Sequence, residues 1–123
     1  MNIAIIGYGK MGKMIEKAAI EKGHTICAVV EPQTNDATSL SGAKIFKSID
    51  EANDPGEAYG LGKADVAIEF TRPDTAVANI LALAKRKIPA VIGTTGWHNK
   101  LDEVTAAVNA EGSSLLWASN FSL

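Results

Sequence analysis

Short apolar runs rich in β-branched residues alternate along this chain with longer stretches whose apolar positions recur every three or four residues. "NIAIIG" at the start reads as a strand. Met11, Met14, Ile15, Ala18 and Ala19 then mark one face of a helix that should end near Gly23. "TICAVVE" is a second strand and "AKIF" a short third. In "SIDEA", Ser48 and Glu51 stand at capping-box spacing. "PGEAYGLGKA" is dense in turn formers and reads as loop. "ADVAIEF" is a strand, and Pro73 just beyond it suits the first turn of a helix with Val77, Ile80, Leu81 and Ala84 as its buried stripe. "PAVIGTT" is a strand, Leu101, Val104 and Val108 mark a helix closed by Gly112, and "SSLLWAS" is the last strand.

The predicted order is β-α-β-loop-β-α-β-α-β-α-β. The strands are continuous apolar runs, as expected when both sheet faces are covered, and the helices between them imply parallel crossovers. A single α/β domain built on a doubly wound parallel sheet follows. At 123 residues one domain is the expectation, and 46% hydrophobic with 21% charged residues fits a globular one. Net charge is −2, and the one basic cluster, Lys85-Arg86-Lys87, suits a helix C-terminus better than a nucleic-acid footprint. No run approaches a membrane span, and no secretory segment opens the chain, so no membrane or nucleic-acid partner is expected. Cys27 is the only cysteine, which points to a reducing cytoplasm.

Gly7-Tyr8-Gly9-Lys10-Met11-Gly12 fits G-x-G-x-x-G, placed between a predicted strand and a predicted helix. Gly7 permits the tight turn, Gly9 lets a pyrophosphate approach the backbone, and Gly12 lets the helix pack close on the sheet. Free N–H groups at the helix start would hold the anion. Glu31, ending the second strand at about the 20-residue spacing of this fingerprint, should accept hydrogen bonds from the adenosine ribose. The sheet is therefore Rossmann-like, with a dinucleotide as ligand. Residues 32–35 offer no Arg or Lys for a 2′-phosphate, which favours NAD(H), with NADP(H) second. Lys10 and Lys13 temper that preference, since they make sense beside a bound anion.

Three later strand ends are chemically loaded: "IEFTRPDTA", "VIGTTGW" and "WASNFSL". Together with "GYGKMGKMI" they resemble, in order and through the whole chain, the signatures of the dihydrodipicolinate reductases, the 4-hydroxy-tetrahydrodipicolinate reductases of bacterial lysine and diaminopimelate synthesis. The "GTTG" and "NFS" stretches are specific; the glycine loop is not. Two departures stand out. The family usually has Asp at Glu69, and many members carry Arg at Pro32. The resemblance implies a pyrophosphate on Gly7 to Gly12 and a ribose on Glu31. It implies Phe70, Thr71 and Arg72 lining the cofactor cleft, and Gly93, Thr94 and Thr95 at the nicotinamide, with Thr95 also near a substrate carboxylate. It places Ala118, Ser119, Asn120 and Phe121 in the loop at the nicotinamide and the interdomain hinge.

The family continues into a second domain with a His-His-x-x-Lys stretch and a Gly-Thr pair, which supply the acid and the grip on a small dicarboxylate. Neither stands in this sequence. The expectation is an isolated cofactor half, with no catalytic residue of its own, from an enzyme that is otherwise a homo-oligomer. Other residues read plainly. His24 is a surface residue, His98 an exposed polar residue near a helix start, Cys27 inert core, and Trp117 core at the end of a central strand. Asp50, Glu51 and Asp54 form a solvated acidic cluster, and no metal site is indicated. Without a covering element, Leu115, Leu116 or Phe121 would be exposed. Two alternatives remain: a regulatory nucleotide-binding module of a channel or transporter, and the cofactor half of another two-domain dehydrogenase.

Overall fold

The computed structural model describes residues 1–52 and 60–117. Among these residues, six parallel strands form one sheet in the order β3-β2-β1-β4-β5-β6. They are β1 (Asn2–Ile6), β2 (Thr25–Val30), β3 (Ile45–Phe46), β4 (Val66–Glu69), β5 (Ala90–Ile92) and β6 (Leu115–Trp117). The α-helices among the described residues are α1 (Lys10–Glu21), α2 (Ile49–Ala52), α3 (Pro73–Lys85) and α4 (Leu101–Ala110). The predicted order of elements is the observed one, with two additions. Leu61–Lys63, read as loop, forms a 3₁₀ turn that buries Leu61, and His98–Lys100 forms another ahead of α4. Strand order reverses between β1 and β4, so the carboxyl ends of these two neighbours open a crevice.

Alternate residues of β1 feed two cores. Ala4 and Ile6 join the face packed by α2, α3 and α4, while Ile3 and Ile5 join the face packed by α1. Coverage of the α1 face fades across the sheet. Along the register row Ile5–Ile68–Val91–Leu116, Ile5 is buried, Ile68 and Val91 are half-buried, and Leu116 is 60% exposed. Leu116 therefore stands open, Leu115 is half-buried, and Phe121 lies outside the described residues. Trp117 departs from expectation: β6 is an edge strand rather than a central one, and the side chain stays 38% exposed.

Two helical stripes are rotated from the pattern-based reading. In α3 the buried residues are Ala76, Ile80, Leu83 and Ala84, while Val77 and Leu81 flank them. In α1 the buried residues are Gly12, Glu16 and Ala19, with Met14 and Ala18 exposed. Helix ends follow their local chemistry. Ser48 Oγ accepts the Glu51 N–H at 3.1 Å, and the Glu51 carboxylate accepts the Lys47 N–H at 2.9 Å, a capping box displaced by one residue. Pro73 opens α3, and Lys85-Arg86-Lys87 closes it, with Arg86 reaching the Ala82 carbonyl at 2.9 Å. Asp50 of the acidic cluster pairs with Arg86 at 2.6 Å, and Asp54 lies outside the described residues.

Candidate functional site

The crevice at the carboxyl ends of β1 and β4 holds a cleft of about 420 Å³, lined among others by Gly7, Gly9, Glu31, Lys47, Phe70, Thr71 and Arg72. Its floor is the β1–α1 junction. Gly7 turns the chain with φ at +98°, and its N–H is held by the Val30 carbonyl at 2.8 Å. A Cβ on Gly7 would overlap the Phe70 carbonyl, and one on Gly12 would overlap the Gly7 carbonyl. Both positions are filled by protein, so glycine is required there by packing. Gly9 differs. A Cβ there would meet nothing within 4 Å, although Gly9 lines the cleft. The space beside it is room for a ligand.

Gly9 is also the N-cap of α1. No side chain caps that end and no acidic residue stands in its first turn. The opening N–H groups of the helix have no intrahelical acceptor, and the helix dipole adds partial positive charge there. Lys10 and Lys13 are exposed beside it, Lys13 with its ammonium 5.5 Å from the Tyr8 ring centre. Among the described residues, this end of the helix has donors and positive charge but no side-chain partner for them.

Glu31 stands at the mouth of the same cleft. Its carboxylate accepts the Tyr8 N–H at 2.9 Å and the Gln33 N–H at 2.9 Å, which fix its direction and leave lone pairs on both oxygens. Residues 32–35 carry no cation, yet β3 pairs beside β2 and brings Lys47 to the cleft, its ammonium on the Thr34 carbonyl. The sequence reading missed Lys47. The signal was in the strand order, since a third strand beside the second ends at the same rim.

The opposite wall is the β4–α3 junction. Glu69 is 0% exposed, and its carboxylate accepts the hydroxyls of Thr71 and Thr94 and the Asn79 amide at 3.1 Å. Thr94 Oγ1 in turn accepts the Thr71 N–H at 2.7 Å. Thr94 is buried and its hydroxyl is spent tying β5 to β4, while Thr95 is exposed. Gly93 is dictated by the Phe70 ring, which a Cβ would overlap. Arg72 is exposed and pairs with Asp74 at 3.2 Å. The structure thus brings Gly7, Gly9, Glu31, Phe70, Thr71 and Arg72 to the walls of one crevice. Tyr8, Lys10, Met11 and Gly12 belong to the same β1–α1 junction without lining the cleft, and Gly93, Thr94 and Thr95 follow the next strand end. Ala118, Ser119, Asn120 and Phe121 lie outside the described residues.

The remaining candidates keep apart from the cleft. His98 is half-buried rather than exposed, tilted against Trp97 and Trp117 with ring centres 5.0 and 4.6 Å away. His24 is half-buried with Nδ1 at 3.2 Å from the N-terminal ammonium. Cys27 is buried, and burial pushes its thiol above the ordinary range, which keeps it unreactive. No helix among the described residues is long and apolar enough to cross a membrane.

Solved structures with this backbone include a probable dehydrogenase from Thermotoga maritima, with a TM-score of 0.77 at 15% identity over 96% of this chain and 36% of that one. A myo-inositol dehydrogenase from Corynebacterium glutamicum gives 0.75 at 19% identity over 96% and 35%. Fold and glycine junction together define an α/β domain of the Rossmann type. Residues 1–121 match the family described as "Dihydrodipicolinate reductase, N-terminus", and the chain belongs to that family. The 4-hydroxy-tetrahydrodipicolinate reductase of Christiangramia forsetii is 35% identical over 100% of this chain and 43% of its own length. That of Staphylococcus haemolyticus is 37% identical over 84% and 37%. The chain spans less than half the length of these curated relatives.

Proposed function

We propose that the chain is the cofactor half of a cytoplasmic 4-hydroxy-tetrahydrodipicolinate reductase and that it binds NADH more tightly than NADPH. The observation that carries the binding site is the contrast among the glycines: Gly7 and Gly12 are closed by protein, and Gly9 is open to the cleft. A pyrophosphate fits there, against uncapped N–H groups and beside Lys10 and Lys13. Glu31, already aimed by two backbone N–H groups, receives the adenosine ribose hydroxyls and repels a 2′-phosphate. Lys47 across the rim softens that repulsion, so NADPH is weakened rather than excluded. Phe70, Thr71, Arg72, Gly93, Thr94 and Thr95, with Ala118 to Phe121, extend the site toward the nicotinamide.

When bound, the nicotinamide supplies the hydride. The residues of this chain orient the dinucleotide and screen it from water, and Thr95 is offered to a substrate carboxylate. The acid, the main grip on the dicarboxylate and the homo-oligomeric assembly are assigned to the part of the relatives that lies beyond the matched region. Titration calorimetry of the 123-residue chain with NADH and with NADPH tests the reading. Saturable binding of both, tighter for NADH, with no reductase turnover, is expected. A clear NADPH preference overturns the role given to Glu31, measurable turnover overturns the division of labour, and no binding of either overturns the whole.

A further inference from the structure

Outside the cleft, α1 carries a carboxylate into the protein. Glu16 is 2% exposed. Its Oε1 accepts the Tyr8 hydroxyl at 2.5 Å, and its Oε2 accepts the Ser39 hydroxyl, the Ser41 hydroxyl at 2.5 Å and the Ser41 N–H at 3.2 Å. The Tyr8 hydroxyl accepts the Leu40 N–H at 3.0 Å. All four partners of Glu16 are neutral donors. A buried carboxylate held this way is tolerable only while its donors are in place. Tyr8 is also the second residue of the glycine loop, and its own N–H donates to Glu31 at 2.9 Å.

Tyr8 is therefore gripped at both ends, its ring tip by Glu16 and its backbone by Glu31. On either side of it stand glycines, Gly7 held by its packing and Gly9 with an open flank, so the loop is free to shift on the Gly9 side. We propose that Glu16 and the Tyr8 hydroxyl are positioning residues for the dinucleotide site, locking the loop so that the Tyr8 N–H aims the Glu31 carboxylate at the ribose. The inference rests on the dinucleotide reading of the cleft. Its consequence is selective. A loosened Glu31 loses its hydrogen bonds to a free 2′-hydroxyl and at the same time relaxes its repulsion of a 2′-phosphate. Loss of the lock lowers discrimination between the two cofactors more than it lowers binding in general.

The test is calorimetric titration of the 123-residue chain and its variants with NADH and NADPH, alongside thermal melts. Tyr8→Phe and Glu16→Gln should each weaken NADH about tenfold and NADPH less than about threefold. The double variant should be little worse than either single one, because the two groups act as a unit. Ser41→Ala, at the exposed rim of the cluster, should move the ratio the same way by less. Val108→Ala, a buried change on α4 remote from the cleft, should lower the melting temperature and leave the ratio unchanged. Should Glu16→Gln not fold, Tyr8→Phe and Ser41→Ala decide the matter. An unchanged ratio in the Tyr8 and Glu16 variants, or an equal weakening of both cofactors in step with lost stability, overturns the proposal. If the unmodified chain binds neither dinucleotide, the reading of the cleft falls and this inference falls with it.

Discussion

The β1–α1 and β4–α3 junctions share a plan: a parallel strand ends, the chain turns, and a helix starts at the rim of one crevice. They complete it differently. At β4–α3 the chain supplies more of its own partners, although Arg72, like Gly9, makes no side-chain cap bond. Pro73 has no N–H to leave unpaired, Asp74 places negative charge in the first turn, and the Thr71 N–H goes to Thr94. At β1–α1 the helix start has no side-chain cap, no acid in its first turn, two lysines and an open flank at Gly9. One junction carries its own proline and acid, and the other leaves its helix start without either. Buried carboxylates serve both, and neither is an ion pair: Glu69 knits β4, β5 and α3 together, while Glu16 anchors the open loop from behind.

If that contrast is right, substitutions at the two junctions should fail in different ways. The largest effect is expected at Gly7. An alanine there needs a left-handed backbone and overlaps the Phe70 carbonyl, so Gly7→Ala should cost ~3 kcal/mol or more, or prevent folding. Chemical denaturation checks this. Thr94→Val conserves shape but leaves the Thr71 N–H and one lone pair of Glu69 without partners. A loss of about 2 kcal/mol is expected in the same measurement.

Acid separates the contribution of Glu16. Burial pushes its carboxyl up, but the hydroxyls of Ser39, Ser41 and Tyr8 with the Ser41 N–H outweigh burial and hold it below the ordinary value of 4.5. A depressed folded pKa contributes stability that is present above that ordinary value and is lost as pH falls through the folded one. The gap in melting temperature between the unmodified chain and Glu16→Gln should be wide at about pH 7 and narrow at about pH 3. An equal gap at both would contradict the hydrogen-bonded carboxylate. The smallest effect is expected at Asp50, whose ion pair with Arg86 is 89% exposed on the Asp50 side. Asp50→Asn should cost no more than about 0.5 kcal/mol by denaturant midpoint.

Much of this was legible in the sequence because it is local. Each strand is a short apolar run, most crossovers are helices, and the turn at Gly7 and the start of α3 at Pro73 announce themselves by residue type. What escaped was set by distant partners. Glu16 interrupts an apolar pattern, so the pattern put Met14 and Ala18 inward. Hydroxyls from Tyr8, Ser39 and Ser41 instead draw Glu16 in, and α1 is rotated accordingly. Trp117 looked like core because its run is apolar, but composition does not say which strand is the edge. Lys47 joins the cleft only through the pairing of β3 with β2. His98, in the turn before α4, packs on Trp117 of β6.

The most direct measurement of the central claim is NADH titration of Gly9→Ala beside the unmodified chain. A Cβ at Gly9 meets no protein atom within 4 Å but enters the space assigned to the pyrophosphate. The expected result is a melting temperature within a few degrees of the unmodified chain together with at least about a hundredfold loss of NADH affinity. Undiminished NADH binding by a well-folded Gly9→Ala would contradict the claim that the β1–α1 junction is where the dinucleotide sits.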